Sequence, residues 1–180
     1  MKIILAVLMF CTILLADRDG GPYIGVGYGL SSYGDDGIYK ELLDIDSKAG
    51  MFYVGAYINK HLSVELGYVN FNQANEYKVI DDSDLKKSIT FSTINVSTLA
   101  HYAFFDDTLD FYIKAGVGNM SASEGSSGFS IVYGGGMSYR FSKMLSMKIA
   151  YDKYETDYKK GSLDKAIDLS TIYSAIEIQF

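Results

Sequence analysis

Leu169-Ser170-Thr171-Ile172-Tyr173-Ser174-Ala175-Ile176-Glu177-Ile178-Gln179-Phe180 alternates apolar and polar residues up to the last position of the 180-residue chain. Alternation with period two marks a strand, because successive side chains point to opposite faces. It places Ile172, Ile176, Ile178 and Phe180 on one face. A water-soluble domain gains nothing from an oily face carried to its final residue. A membrane barrel does gain: its last strand must pair with its first, since an open edge in hydrocarbon leaves backbone groups unpaired at several kcal/mol each. The stretch therefore predicts a closed barrel.

The same pattern recurs upstream, in runs near 22–32, 50–59, 61–72, 89–105, 108–119, 128–141 and 144–155, which with 169–180 predict eight strands. Eleven residues at roughly 3.3 Å each, tilted about 40°, rise roughly 28 Å, enough for an apolar band of about 25 Å. Connections alternate in length. Tight turns are expected at Asn59-Lys60, Asp106-Asp107 and Ser142-Lys143, and longer polar segments at 33–48, 73–87, 120–127 and 156–168. Short turns on one side and long loops on the other mark outer-membrane barrels. The expected fold is all-β: an eight-stranded antiparallel up-and-down transmembrane β-barrel with short periplasmic turns, four longer extracellular loops and both termini in the periplasm.

Composition agrees. With 48% hydrophobic and 21% charged residues the chain is not disordered, and 16 Tyr and 18 Gly against 1 Pro suit sheet, since Pro is excluded from ladder interiors. Pro22 falls where the first strand would begin. Lys2 precedes 14 residues, Ile3 to Ala16, that are apolar except for Thr12 and give way to Asp17-Arg18-Asp19-Gly20-Gly21. The run is short of the roughly 20 apolar residues of a membrane helix and ends on a small residue, so 1–16 is expected to be a signal peptide and 17–180 the barrel domain. Phe10 before Cys11 is too bulky for a lipid-anchor signal. Removing Lys2 takes the formal charge from −6 to −7. An acidic chain without clustered Lys and Arg is not expected to bind nucleic acid.

The two faces of each run differ. Leu109, Phe111, Ile113, Ala115 and Val117 oppose Asp110, Tyr112, Lys114, Gly116 and Gly118; Phe129, Ile131, Tyr133, Met137, Tyr139 and Phe141 oppose Ser130, Gly134, Gly136, Ser138 and Arg140; Leu145, Met147, Ile149 and Tyr151 oppose Ser146, Lys148, Ala150 and Asp152. A lipocalin-type soluble barrel would turn the apolar face inward. Size favours the reverse: the charged, glycine-rich face is mostly small, as a narrow interior requires, and the bulky face fits outside. Phe104, Phe105, Tyr139, Phe141 and Phe180 near strand ends suit interfacial girdles.

The chain resembles the OmpA/OmpX/opacity-type family of small outer-membrane barrels. The features that carry the likeness are the leader, the strand Pro22-Tyr23-Ile24-Gly25-Val26-Gly27-Tyr28-Gly29, the loop asymmetry and the ending Ile176-Glu177-Ile178-Gln179-Phe180. The resemblance implies an outer-membrane location in a Gram-negative bacterium, contact with membrane lipid and lipopolysaccharide, and a C-terminal insertion signal, Ile176, Ile178 and Phe180, read by the barrel assembly machinery. The peptidoglycan-binding domain of larger relatives is missing, so no cell-wall tether is expected.

Glu65, Lys114, Arg140, Lys148 and Glu177 are all expected to point inward near the short-turn end, forming a lumenal charge cluster. In a poorly hydrated lumen opposite charges should pair, either as a gate, as in related barrels, or as filler that fixes register. Val26-Gly27-Tyr28-Gly29 matches part of a potassium-filter signature, but such a filter needs flanking membrane helices. His61-Leu62-Ser63 resembles part of the His-x-Ser-Asn element of lipid A deacylases; Val64 replaces the Asn, the motif starts at a periplasmic turn, and the other histidine, His101, reads as lumen filler. Asp35, Asp36, Asp44 and Asp46, and Asp81, Asp82 and Asp84, lack EF-hand spacing, and lysines interleave with them (Lys40, Lys48, Lys86, Lys87, Lys159, Lys160), a solvated surface. Asn95-Val96-Ser97 falls inside a strand and is discounted for glycosylation. No catalytic, metal-binding or cofactor-binding residue is assigned. The expectation is a monomeric, non-enzymatic protein of structural or surface-interaction role that displays its loops, followed by a narrow ion or small-solute channel, and then a lipid A-modifying enzyme.

Overall fold

The computed structural model describes residues 20–35, 47–77, 87–123, 127–160 and 163–180. Eight strands follow in chain order: β1 (Gly21–Asp35), β2 (Ser47–Asn59), β3 (Leu62–Tyr77), β4 (Lys87–Phe104), β5 (Leu109–Ala122), β6 (Ser127–Arg140), β7 (Leu145–Lys160) and β8 (Leu163–Gln179). Each pairs antiparallel with its neighbour, and β8 closes on β1 without interruption from Tyr23↔Gln179 to Asp35↔Ile167. The terminal stretch thus seals the barrel, and the Phe180 amide continues the seam by donating to the Pro22 carbonyl at 2.9 Å. Pro22, with no N–H to give, lies just outside the β1–β8 ladder.

One row of paired residues gives the geometry. Ile24, Val54, Leu66, Val96, Val117, Ile131, Glu155 and Asp168 face one another in turn, and the row returns to β1 at Gly34, ten residues above its start. Eight strands with that stagger are tilted by about 40° around a radius of roughly 8 Å. The tilt explains the sequence along the row. It climbs about 3 Å per strand, so it begins among exposed apolar side chains and leaves the oily band at Glu155 and Asp168, which share Lys153 at 3.1 and 2.9 Å.

The outward face is the bulky one. Val26, Phe52, Leu66, Ile94, Phe111, Ile113, Ile131, Met147, Ile149, Ile172 and Ile176 are all exposed. Phe104, Phe105, Tyr139 and Phe141 ring the short-turn end and point outward, while Tyr28, Phe52, Tyr68, Tyr133 and Tyr151 point outward farther up their strands. The inward face carries Glu65, Asp110, Lys114, Lys148, Asp152 and Glu177, each buried. Among the described residues no helix is long and apolar enough to cross a membrane.

Two expectations need correction. The interior is not mostly small: seven tyrosines, Tyr23, Tyr33, Tyr53, Tyr57, Tyr112, Tyr154 and Tyr173, are buried in it. Glycines admit them. Gly25 faces Tyr53 and Gly55 faces Tyr23 across the β1–β2 ladder, and a Cβ at either would stand 2.1 or 2.2 Å from its partner's ring. Secondly, several strands outrun their expected limits. The segment 156–168, expected as a loop, is largely paired strand, with β7 and β8 matched up to Lys160↔Leu163. Ladder hydrogen bonds are made by the backbone and need no apolar face, so the pairing continues where the oily alternation has ended. The tight turns fall where expected, with Asn59-Lys60, Asp106-Asp107 and Ser142-Lys143 between paired strands. In the second, Phe105, Asp106 and Asp107 have φ of 54°, 52° and 65°, a left-handed run without glycine.

Candidate functional site

The lumen is filled in layers. Nearest the short turns, Arg140 Nη2 donates to Gln179 Oε1 at 2.9 Å. Next, three strands contribute one linked set: Ser63 of β3 and His101 Nε2 of β4 are 2.8 Å apart, and His101 Nδ1 is 2.8 Å from Asp110 Oδ2 of β5. The imidazole is flanked by the rings of Tyr57 and Tyr112, at 5.1 and 5.7 Å between centroids.

Beside and above this set lies a layer of charge. Lys114 Nζ donates to Glu65 Oε1 at 2.9 Å and to Asp152 Oδ2 at 3.0 Å. Lys148 Nζ is 3.0 Å from Glu177 Oε2, without hydrogen-bond alignment, and 3.6 Å from Glu65 Oε2, beyond hydrogen-bond distance. Tyr57 and Tyr173 donate to Glu177 Oε1 and Asp152 Oδ2 at 3.4 and 3.1 Å. Tyr23 joins the layers, its hydroxyl 3.3 Å from Ser63 Oγ and 3.4 Å from Glu65 Oε2. Nearer the long connections the lining turns apolar, with Phe71, Phe91, Met120, Val132, Tyr154 and Leu169 buried and Phe71 edge-on to Tyr154 at 5.2 Å.

Of the five residues expected in the lumenal cluster, the structure brings together Glu65, Lys114, Lys148 and Glu177. Arg140 donates to Gln179 nearer the short turns. Asp152 takes part instead; its inward position on β7 was legible, but its partner Lys114, 38 residues away, was not. The hydroxyl of Ser63 meets His101 rather than His61, whose ring approaches the His101 carbonyl at 3.4 Å. Both ring nitrogens of His101 have partners, and Asp110 completes a serine–histidine–carboxylate order that the spacing did not disclose. Ser63 is fully buried, however. Val26 and Tyr28 of the filter-like motif face outward, and Asn95 faces inward within β4. The acidic clusters at Asp36, Asp44, Asp46, Asp81, Asp82 and Asp84, the side chain of Asp35 and the segment 1–16 lie outside the described residues.

A closed cylinder with its oily side chains outside and its ions inside defines a transmembrane β-barrel of the outer-membrane class. The family model for the outer membrane protein β-barrel domain matches residues 3–177, and the chain belongs to that family. Neisserial surface protein A has a similar structure, with a TM-score of 0.67, 13% identity and coverage of 89% of this chain and 97% of its own. Ail, the attachment invasion locus protein of Yersinia pestis, superposes with a TM-score of 0.59 at 16% identity, over 90% of this chain and 99% of its own. The N-terminal barrel domain of Pseudomonas aeruginosa OprF gives 0.50 at 12% identity, over 89% and 99%. At such identities the likeness is one of fold. No curated protein sequence matches the chain.

Proposed function

We propose that the protein is a closed barrel of the Gram-negative outer membrane with a structural and surface-contact role, exercised from the segments that join its strands at the long-connection end. The observation that carries this reading is the side-chain filling of the lumen among the described residues: a layer of paired charge and, above it, buried Phe71, Phe91, Met120, Val132, Tyr154 and Leu169. An eight-stranded interior is just wide enough for side chains to fill it, and here they do. Two proteins that share the fold bear names of the same class, a surface protein and an attachment invasion locus protein, and they lend the fold rather than a ligand. The proposed partners are outer-membrane lipid and lipopolysaccharide around the belt, and the barrel assembly machinery at Ile176, Ile178 and Phe180. The protein is proposed to act as a monomer, exported by its first 16 residues.

Single-channel recording in planar bilayers tests the reading. The wild-type protein is expected to be silent, and a regular conductance would overturn the closed lumen. A gated narrow channel is the second reading, favoured by the charge layer itself, because Lys148 stands within 3.6 Å of two alternative carboxylates, Glu177 and Glu65. Glu177→Ala then becomes the decisive variant: discrete openings would favour the gate, and silence the plug. A hydrolase reading would rest on the order Ser63, His101, Asp110, and the burial of Ser63 weighs against it.

A further inference from the structure

Lys148 differs from Lys114 in what surrounds it. Lys114 is held by two well-formed hydrogen bonds to carboxylates, whereas the Lys148 ammonium lies over three tyrosine faces, 4.5 Å from the Tyr53 ring centroid, 5.1 Å from Tyr112 and 5.7 Å from Tyr23. Cations attract ring faces within about 6 Å, most strongly when desolvated, and Lys148 is 2% exposed. Its two carboxylate neighbours supply charge, Glu177 without alignment and Glu65 from 3.6 Å. The Tyr53 hydroxyl has no hydrogen-bond partner among the described residues, so its ring is what Tyr53 offers to this site. The rings come from β1, β2 and β5, the carboxylates from β3 and β8, and the lysine from β7, so every wall stands on a paired strand.

We propose that this part of the lumen is an aromatic-cage binding site for a primary ammonium ion, occupied in the native protein by its own Lys148, and that it accepts a free alkylammonium once the tether is cut. The proposal goes beyond the closed-barrel reading and does not depend on conductance. Lys148→Ala removes three methylenes and the ammonium, the outline of n-propylammonium. The variant is refolded from urea into phosphatidylcholine vesicles, so that entry into the buried site is not limiting, with n-propylammonium chloride, 1-propanol or sodium chloride at matched concentration. The readout is the temperature at which folded gel mobility is lost. Lys148→Ala is expected to lower it, n-propylammonium to restore most of the drop saturably, and propanol and sodium chloride to restore little. Equal rescue by propanol would reduce the site to a cavity, and no rescue by either would remove it; both outcomes overturn the proposal. Should Lys148→Ala not fold under any condition, Tyr53→Phe and Tyr53→Leu in the native lysine background decide. The cage requires Phe to match the wild type and Leu to lose several degrees, and equal stability of the two overturns it.

Discussion

Replacing Lys114 by methionine keeps the bulk of its stem and removes the charge shared by two carboxylates. Glu65 Oε1 and Asp152 Oδ2 lie 2.9 and 3.0 Å from Nζ, and the three residues are 3%, 1% and 6% exposed in the order Glu65, Asp152, Lys114. Breaking a buried pair from one side costs roughly 3–5 kcal/mol, because the stranded partner stays desolvated without compensation. Among the described residues Lys114 is the cation paired with Asp152, while Glu65 keeps Lys148 at 3.6 Å. Lys114→Met is accordingly expected to lose about 3–5 kcal/mol. Exchanging the two carboxylates as well removes the stranded charge, so adding Glu65→Gln and Asp152→Asn should return part of the loss and leave Lys148 with Glu177. The assay is urea unfolding in phospholipid vesicles, followed by far-ultraviolet circular dichroism and by gel mobility, since the chain has no tryptophan to report by fluorescence. A loss below about 1 kcal/mol, the scale of an exposed pair, would refute the reasoning. So would a triple variant less stable than the single one.

Two further expectations concern backbone and packing. Asp106 holds φ of 52° in an exposed turn, and Asp106→Gly should raise stability by about 0.5–1 kcal/mol in the same urea titration, because glycine adopts that conformation without steric conflict. Gly55→Ala places a methyl 2.2 Å from the Tyr23 ring and should cost about 1–3 kcal/mol. Tyr23→Ala in the same chain should remove most of that increment, so the two changes together are expected to be less than additive.

Alternation and turn chemistry made most of the architecture legible from local sequence. Strand count, the three tight turns and the choice of outward face all follow from residues within one strand or one connection. What local sequence does not contain is the stagger between strands. The ten-residue climb around the barrel decides that Lys114 meets Asp152 and that Ser63 meets His101, while Arg140 is left a layer lower with Gln179. Strand ends were misjudged for a related reason. Oily alternation is imposed by lipid, and Lys159, Lys160, Leu163 and Asp164 pair beyond its reach. The buried tyrosines were hidden because a large ring inside a narrow barrel is tolerable only opposite a glycine on the next strand. Tyr53 with Gly25 and Tyr23 with Gly55 become visible as pairs only once the register is known.

The orientation of the two faces is tested most directly with single-tryptophan variants, because every signal then comes from the introduced residue. Phe111→Trp, Ile131→Trp and Met147→Trp, folded into vesicles of brominated lipid, should each be strongly quenched, while Tyr154→Trp, fully buried in the lumen, should be nearly unaffected. Quenching of the lumenal tryptophan by bromine, with the three outward positions reached instead by aqueous iodide, would mean that the oily side chains do not face lipid.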